Sequence, residues 1–170
     1  KALSHSYNQA AVRLGMQLGL DEVATNVERL GVDMPVARIP SMLLGALEWS
    51  PLSVASMYHT IAADGFYTPL RSIRSVQTVQ GLPLSRYPLV VEQRFDIRYM
   101  YQLKVAMELV MRNGSGRSAY KQLPAKLAVA GKTGTSNDQR DSWFAGFSGD
   151  TLAVVWMGRD DNDVTPLTGA

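Results

Sequence analysis

The 170 residues carry 46% hydrophobic side chains, a formal charge of +2 and no cysteine. That hydrophobic share suits a folded chain rather than a disordered one, and the length is enough to bury a sizeable core. Basic side chains such as Arg13, Arg38, Arg71, Arg98 and Arg117 are scattered, so nucleic-acid binding gains no support. The lack of Cys excludes a disulfide framework and thiolate metal sites. No apolar run approaches the roughly 18 residues of a membrane span, and no signal peptide is visible. The chain starts at Lys1 without Met and stops abruptly at Thr168-Gly169-Ala170. Both ends read as cuts within a longer protein.

Near the N-terminus, Ser6-Tyr7-Asn8 heads a helical pattern in which Ala11, Leu14 and Leu18 recur and Gly19 is the stop. Asp21 is expected to cap a second helix, with Val23, Val27 and Leu30 on one face and Gly31 at its end. A loop with Pro35 and Pro40 follows. Ser50-Pro51 then starts a third helix, because Ser accepts backbone N–H bonds and Pro tolerates the first helical position. Val54, Tyr58 and Ile61 form its inner stripe and Gly65 closes it. Residues 73–79 read as a strand, and Gly81 with Pro83 as the turn of a hairpin. Asp96 begins the longest helix, with Met100, Leu103, Met107 and Val110 as core-filling positions and Asn113-Gly114-Ser115-Gly116 as its end.

The last third changes character. Residues 127–135, 142–147 and 151–158 read as strands joined by short connections, which implies an antiparallel meander. Helices first and consecutive strands afterwards argue for an α+β fold. There is no internal repeat or interdomain linker, so residues 1–170 read as one domain portion.

Lys132-Thr133-Gly134-Thr135 ends the first of these strands. Such a tetrad arises by chance in roughly one chain per thousand, whereas an S-x-N triplet arises in about every second chain of this length. A serine acyl-transfer enzyme needs a nucleophile, a proton relay, oxyanion donors and a grip on its substrate. Lys132 would place a cation near the serine network. Thr133 and Thr135 offer hydroxyl donors, and Gly134 lets a ligand lie against the strand edge like an added strand. In the S-x-N triplet the Ser6 hydroxyl can relay a proton and the Asn8 amide can bind a carbonyl. K-T-G on a strand after S-x-N at a helix head is the pattern of serine enzymes that handle penicillin.

Competing readings are weaker. Ser118-Ala119-Tyr120-Lys121 matches S-x-x-K, the nucleophile motif, but it follows S-x-N where the nucleophile should precede it. Ser118 and Lys121 are therefore read as surface residues, and the nucleophile as absent from this chain. Gly131-Lys132-Thr133 could end a phosphate loop, but Lys126 stands where its first Gly belongs. His5 lacks a G-x-S-x-G elbow nearby, and His59 reads as structural. The run Asp160-Asp161-Asn162-Asp163 lacks calcium-loop spacing and reads as a solvated loop, so no metal is expected.

The chain resembles the transpeptidase domain of class A (bifunctional) penicillin-binding proteins, in particular the 1b-type of Gram-negative bacteria. The likeness rests on Ala2-Leu3 with Ser6 and Asn8, on Gly45-Ala46-Leu47-Glu48 with Pro51-Leu52, and on Gly65 with Pro69. It continues in residues 130–137, in Asp141-Ser142-Trp143-Phe144-Ala145-Gly146, and in Trp156 with Gly158-Arg159-Asp160-Asp161-Asn162. The resemblance implies the penicillin-binding transpeptidase and serine β-lactamase-like fold, an antiparallel sheet between helices. It implies cross-linking of peptidoglycan stem peptides by serine acyl transfer from D-Ala-D-Ala, capture of β-lactams, and no cofactor. By the same likeness Ser6 and Lys132 relay protons, Asn8, Thr133 and Gly134 line the substrate, and Thr135 binds it and lends its N–H to the oxyanion hole. A parent with a membrane helix and a glycosyltransferase domain, acting at the periplasmic face of the inner membrane with activator lipoproteins as partners, is implied as well. The remainder of the transpeptidase domain, with its S-x-x-K, would have to come from outside these residues and supply core helices, so exposed apolar surface is expected.

Overall fold

A computed structural model of the chain describes residues 1–136 and 139–165. Four α-helices, α1 (Asn8–Leu18), α2 (Leu20–Arg29), α3 (Pro51–Ala62) and α4 (Ile97–Asn113), precede a three-stranded sheet of β5 (Ala130–Thr135), β6 (Ser142–Ser148) and β7 (Thr151–Met157). Two small antiparallel pairs lie between α3 and α4. They join β1 (Phe66–Tyr67) to β4 (Glu92–Gln93), and β2 (Ser75–Gln77) to β3 (Pro83–Arg86). The C-terminal sheet is an antiparallel meander in the order β5-β6-β7, with β5 at one edge. Helices followed by this meander give the expected α+β architecture.

Local chemistry sets most boundaries. Ser50 caps α3 by accepting from Ser53 N–H at 3.0 Å, and Pro51 occupies the first turn; such a cap contributes about 1 kcal/mol. Asp96 caps α4 by accepting from Arg98 N–H at 2.8 Å. The second helix departs from expectation. Gly19, at φ 95°, serves both as the C-cap of α1 and as the N-cap of α2, so Asp21 falls inside the first turn. There its carboxylate still meets the positive end of the helix dipole.

Two strands are shorter than their sequence pattern. Leu127 and Ala128 stay out of β5 because their carbonyls go to side chains. Leu127 O accepts from Tyr120 Oη at 2.6 Å and Arg112 Nη2 at 3.0 Å, and Ala128 O accepts from Ser148 Oγ at 2.7 Å. The 73–79 strand contracts to β2 because the turn already begins at Thr78, whose N–H donates to Leu82 O at 2.8 Å.

The core has two parts. Ala24, Val36 and Met42 form a local cluster with Val23, Val27 and Leu47 around them. Ile61, Met100, Met107 and Ala130 form the second, which joins α3 and α4 to the start of β5. Thr60, fully buried, donates to Leu30 O at 2.8 Å, and Ser56 donates to Gly31 O at 2.7 Å, so α3 is fastened to the end of α2. Tyr58 packs half-buried against this second cluster, and desolvation pushes its hydroxyl pKa up to about 12. Large apolar side chains remain exposed elsewhere, among them Leu14, Met16, Leu18, Leu52, Tyr99 and Tyr101. This matches the expectation of uncovered apolar surface.

Candidate active site

The first seven residues form a tight turn. Tyr7 N–H donates to Ala2 O at 3.0 Å and His5 N–H to Lys1 O at 3.2 Å. Ser6 sits at the tip with φ 52°, in the left-handed region that costs a non-glycine residue free energy. The turn is held from below by the end of α4. Ser115 N–H donates to Ser4 O at 3.0 Å, and a Cβ on Gly114 would lie 2.0 Å from that same oxygen. Only a residue without a side chain lets the helix end come this close.

Opposite the turn runs β5. Lys132 stands across from Ala145, whose small, buried side chain leaves room for the lysine stem. Its Nζ donates to Ser6 Oγ, and to Thr133 O at 2.8 Å. Burial lowers the pKa of the amine below its ordinary value. The sequence placed Ser6 and Lys132 in one proton-handling network, and the fold brings them into direct contact.

Thr133 and Thr135 alternate with Lys132, so both fall on the other face of the strand. Thr133 Oγ1 lies 2.6 Å from Ser115 Oγ. Gly134 pairs with Trp143, and a Cβ there would approach the Trp143 Cβ to 3.1 Å. Thr135 is exposed at the end of β5, and Asn8 is exposed at the first position of α1. An open cavity of about 520 Å³ lies beside the turn, lined by His5, Tyr7, Gly114, Ser115 and Arg117 among others. Lys132 on one face of β5, the hydroxyls of Thr133 and Thr135 on the other, and the edge of the strand thus lie beside the Ser6 turn, an arrangement able to grip an anionic ligand and to hold a proton at Ser6.

The competing motifs separate from this wall. Ser118 and Lys121 are exposed on a 3₁₀ turn (Arg117–Lys121), with no hydrogen bond or ion pair between them among the described residues. Lys132-Thr133 continues as strand to Thr135 where a phosphate loop would turn into a helix. His5 Nδ1 lies 2.9 Å from Ser4 Oγ and 3.2 Å from Lys1 O, so it braces the turn. His59 Nδ1 is buried without a partner among the described residues. Asp161 pairs with Arg159 at 2.8 Å in an exposed loop. Asn137, part of the motif stretch, lies outside the described residues, as do Thr168, Gly169 and Ala170. Sequence reasoning missed the part of Gly114 and Ser115. They read as a helix stop, and nothing in their spacing announces that the stop touches both motifs.

Comparisons with known proteins agree on what this wall belongs to. The family model described as the penicillin binding protein transpeptidase domain matches residues 1–163. Penicillin-binding protein 1B of Vibrio cholerae is 42% identical over 99% of this chain, and that of Escherichia coli K12 is 40% identical over 99%. The chain spans only 22% and 20% of those relatives' lengths. Among solved structures, penicillin-binding protein 1A from Haemophilus influenzae superposes with a TM-score of 0.89 at 20% identity, over 99% of this chain and 31% of that one. The imipenem acyl-enzyme complex of penicillin-binding protein A from Mycobacterium tuberculosis gives 0.82 at 20% identity, over 99% of this chain and 43% of that one. The structural likenesses carry the fold, and the family model carries the assignment. With S-x-N and K-T-G-T joined by the Lys132–Ser6 hydrogen bond and the family model covering nearly all of it, the chain belongs to the penicillin-binding protein transpeptidase domain family.

Proposed function

We propose that these residues form the S-x-N and K-T-G-T arms of a peptidoglycan D,D-transpeptidase that works by serine acyl transfer, within a bifunctional synthase held at the periplasmic face of the inner membrane. The observation that carries the reading is the hydrogen bond from Lys132 Nζ to Ser6 Oγ. A lysine donating to Ser6 leaves the serine's own hydrogen free to be given elsewhere. In the reaction, a nucleophilic serine from an S-x-x-K segment outside these residues attacks the penultimate D-Ala carbonyl, and the terminal D-Ala leaves as its amine takes up a proton. Ser6 delivers that proton while taking up the one the nucleophilic serine gives up, and Lys132 steadies the charge that develops on the way. The acyl group then passes to an amine of a neighbouring stem peptide, with the proton returning along the same path. Thr133 and Thr135 hold the terminal carboxylate, Thr135 N–H serves the oxyanion, Asn8 binds a substrate amide, and Gly134 keeps the strand edge clear.

The partners under this reading are peptidoglycan stem peptides, β-lactams that imitate them, the remainder of the domain, and activator lipoproteins for the whole protein. The reaction needs no cofactor and no metal. The test is intact mass after incubation with penicillin, on this chain and on a version extended upstream to include S-x-x-K. Acylation of the longer version alone is the expected result. An adduct on the short chain would overturn the assignment of the nucleophile, and an extended chain that stays unmodified would overturn the reading itself.

A further inference from the structure

Ser115 stands where the two motif arms meet. Its backbone N–H donates to Ser4 O at 3.0 Å, two residues before Ser6, and its hydroxyl lies 2.6 Å from Thr133 Oγ1. One half-buried residue therefore touches the S-x-N turn through its main chain and the K-T-G strand through its side chain. Its position is rigid. The N–H groups of Gly114 and Gly116 both return to Val110 O at 3.1 Å, which ties the turn to the last coil of α4, and Val110 and Met111 are buried beneath.

We propose that Ser115 is a positioning residue: its hydroxyl donates to Thr133 Oγ1 and thereby aims the Thr133 hydrogen at the carboxylate of the acyl donor. The inference rests on the transpeptidase reading above. A threonine hydroxyl has one hydrogen and can accept as well as donate. With no anion present the Thr133 hydrogen is free to turn back toward Ser115. A carboxylate accepts only, so once it is bound Thr133 must donate to it and Ser115 must donate to Thr133. The two bonds then point in one direction and polarise each other. Because the S-x-N turn hangs on the same residue, the carboxylate grip and the proton relay keep a fixed separation.

The experiment measures saturation of acylation by penicillin in a full-length protein carrying this segment, for wild type, Ser115→Ala, Ser115→Thr, Thr133→Val and the Ser115→Ala/Thr133→Val double variant. Melting temperatures are taken in parallel. Ser115→Ala keeps the N–H to Ser4 and is expected to raise the half-saturating concentration about tenfold, the worth of one modest hydrogen bond. The limiting rate should stay within about twofold, since the grip acts equally before and during the chemical step. Ser115→Thr, which keeps the hydroxyl, should restore wild-type saturation. In the Thr133→Val background the Ser115→Ala change should add nothing. Wild-type saturation in Ser115→Ala, an equal loss in both backgrounds, or a loss that Ser115→Thr does not repair at unchanged melting temperature would each overturn the proposal. Failure of the underlying reading looks different, because wild type would then resist acylation or Lys132→Ala would acylate at the wild-type rate.

Discussion

Lys132 and Ser6 are 126 positions apart in the chain and share a hydrogen bond. The lysine is the donor, half-buried beside the small Ala145, and the serine accepts at the tip of a strained turn. Each motif is incomplete without the other, and the first expectations follow from that contact.

Lys132→Ala in the full-length protein removes a preorganised cation and donor. It is expected to slow acylation by penicillin about 10²- to 10³-fold, the usual scale for such a group. An unchanged acylation rate would remove Lys132 from the mechanism. The lowered amine pKa adds a sign. The charged form is lost at a lower pH than for a free lysine, so acylation at low penicillin concentration should fall on the alkaline side earlier than an ordinary lysine would dictate. Lys132→Arg, which stays charged, should abolish that limb in a pH profile.

Ser6→Gly separates strain from chemistry. The left-handed backbone of Ser6 costs roughly 1 kcal/mol that glycine would not incur. The greater freedom of glycine in the unfolded chain offsets roughly 0.5–1 kcal/mol of the gain. The melting temperature should thus remain near wild type while acylation collapses. A fall in both together would mean that the hydroxyl is a structural support first.

Gly114→Ala should injure site and stability at once. Its Cβ would lie 2.0 Å from Ser4 O, a backbone atom that cannot swing aside. Overpacking of this kind costs about 1–3 kcal/mol, and relief requires the S-x-N turn to move away from α4. Thermal melts and acylation rates of the same sample check it, and a variant with normal melting and normal acylation would refute the tight packing.

Asp96 gives a pH dependence of stability. Hydrogen bonds from the Arg98 side chain and backbone hold its pKa at about 2, below the ordinary 3.8. A carboxyl lowered in the folded state contributes stability that is fully present above its unfolded pKa and is lost as pH falls through the folded one. The α4 cap should weaken between 3.8 and about 2. Asp96→Asn keeps the cap acceptor without the charge, so melting curves of that variant should be flatter across this window. High salt should narrow the difference, because the pair is exposed.

The sequence made much of this wall legible because its parts are local. K-T-G-T sits at the end of an apolar run, S-x-N heads a helical pattern, and Ser50-Pro51 and Asp96 announce helix starts in their own chemistry. Strand ends were less legible. Leu127 has the pattern of β5, but its carbonyl is taken by Tyr120 and Arg112, side chains whose approach no local pattern encodes. Ser115 was illegible for the same reason. Gly-Ser-Gly after a long helix signals only a stop, and its meaning comes from a turn near the other end of the chain.

The two core clusters assign different histories to the two halves of the wall. Ala24, Val36 and Met42 meet within a short stretch and close small loops, whereas Ala130 reaches Ile61 and Met100 only after long ones. Loop-closure entropy makes such distant pairings late events in folding. The helical hairpin that follows Ser6 can therefore exist before β5 arrives. Ser6 would wait beside that hairpin for Lys132, and a chain released before residue 130 would present the S-x-N turn without the strand that faces it.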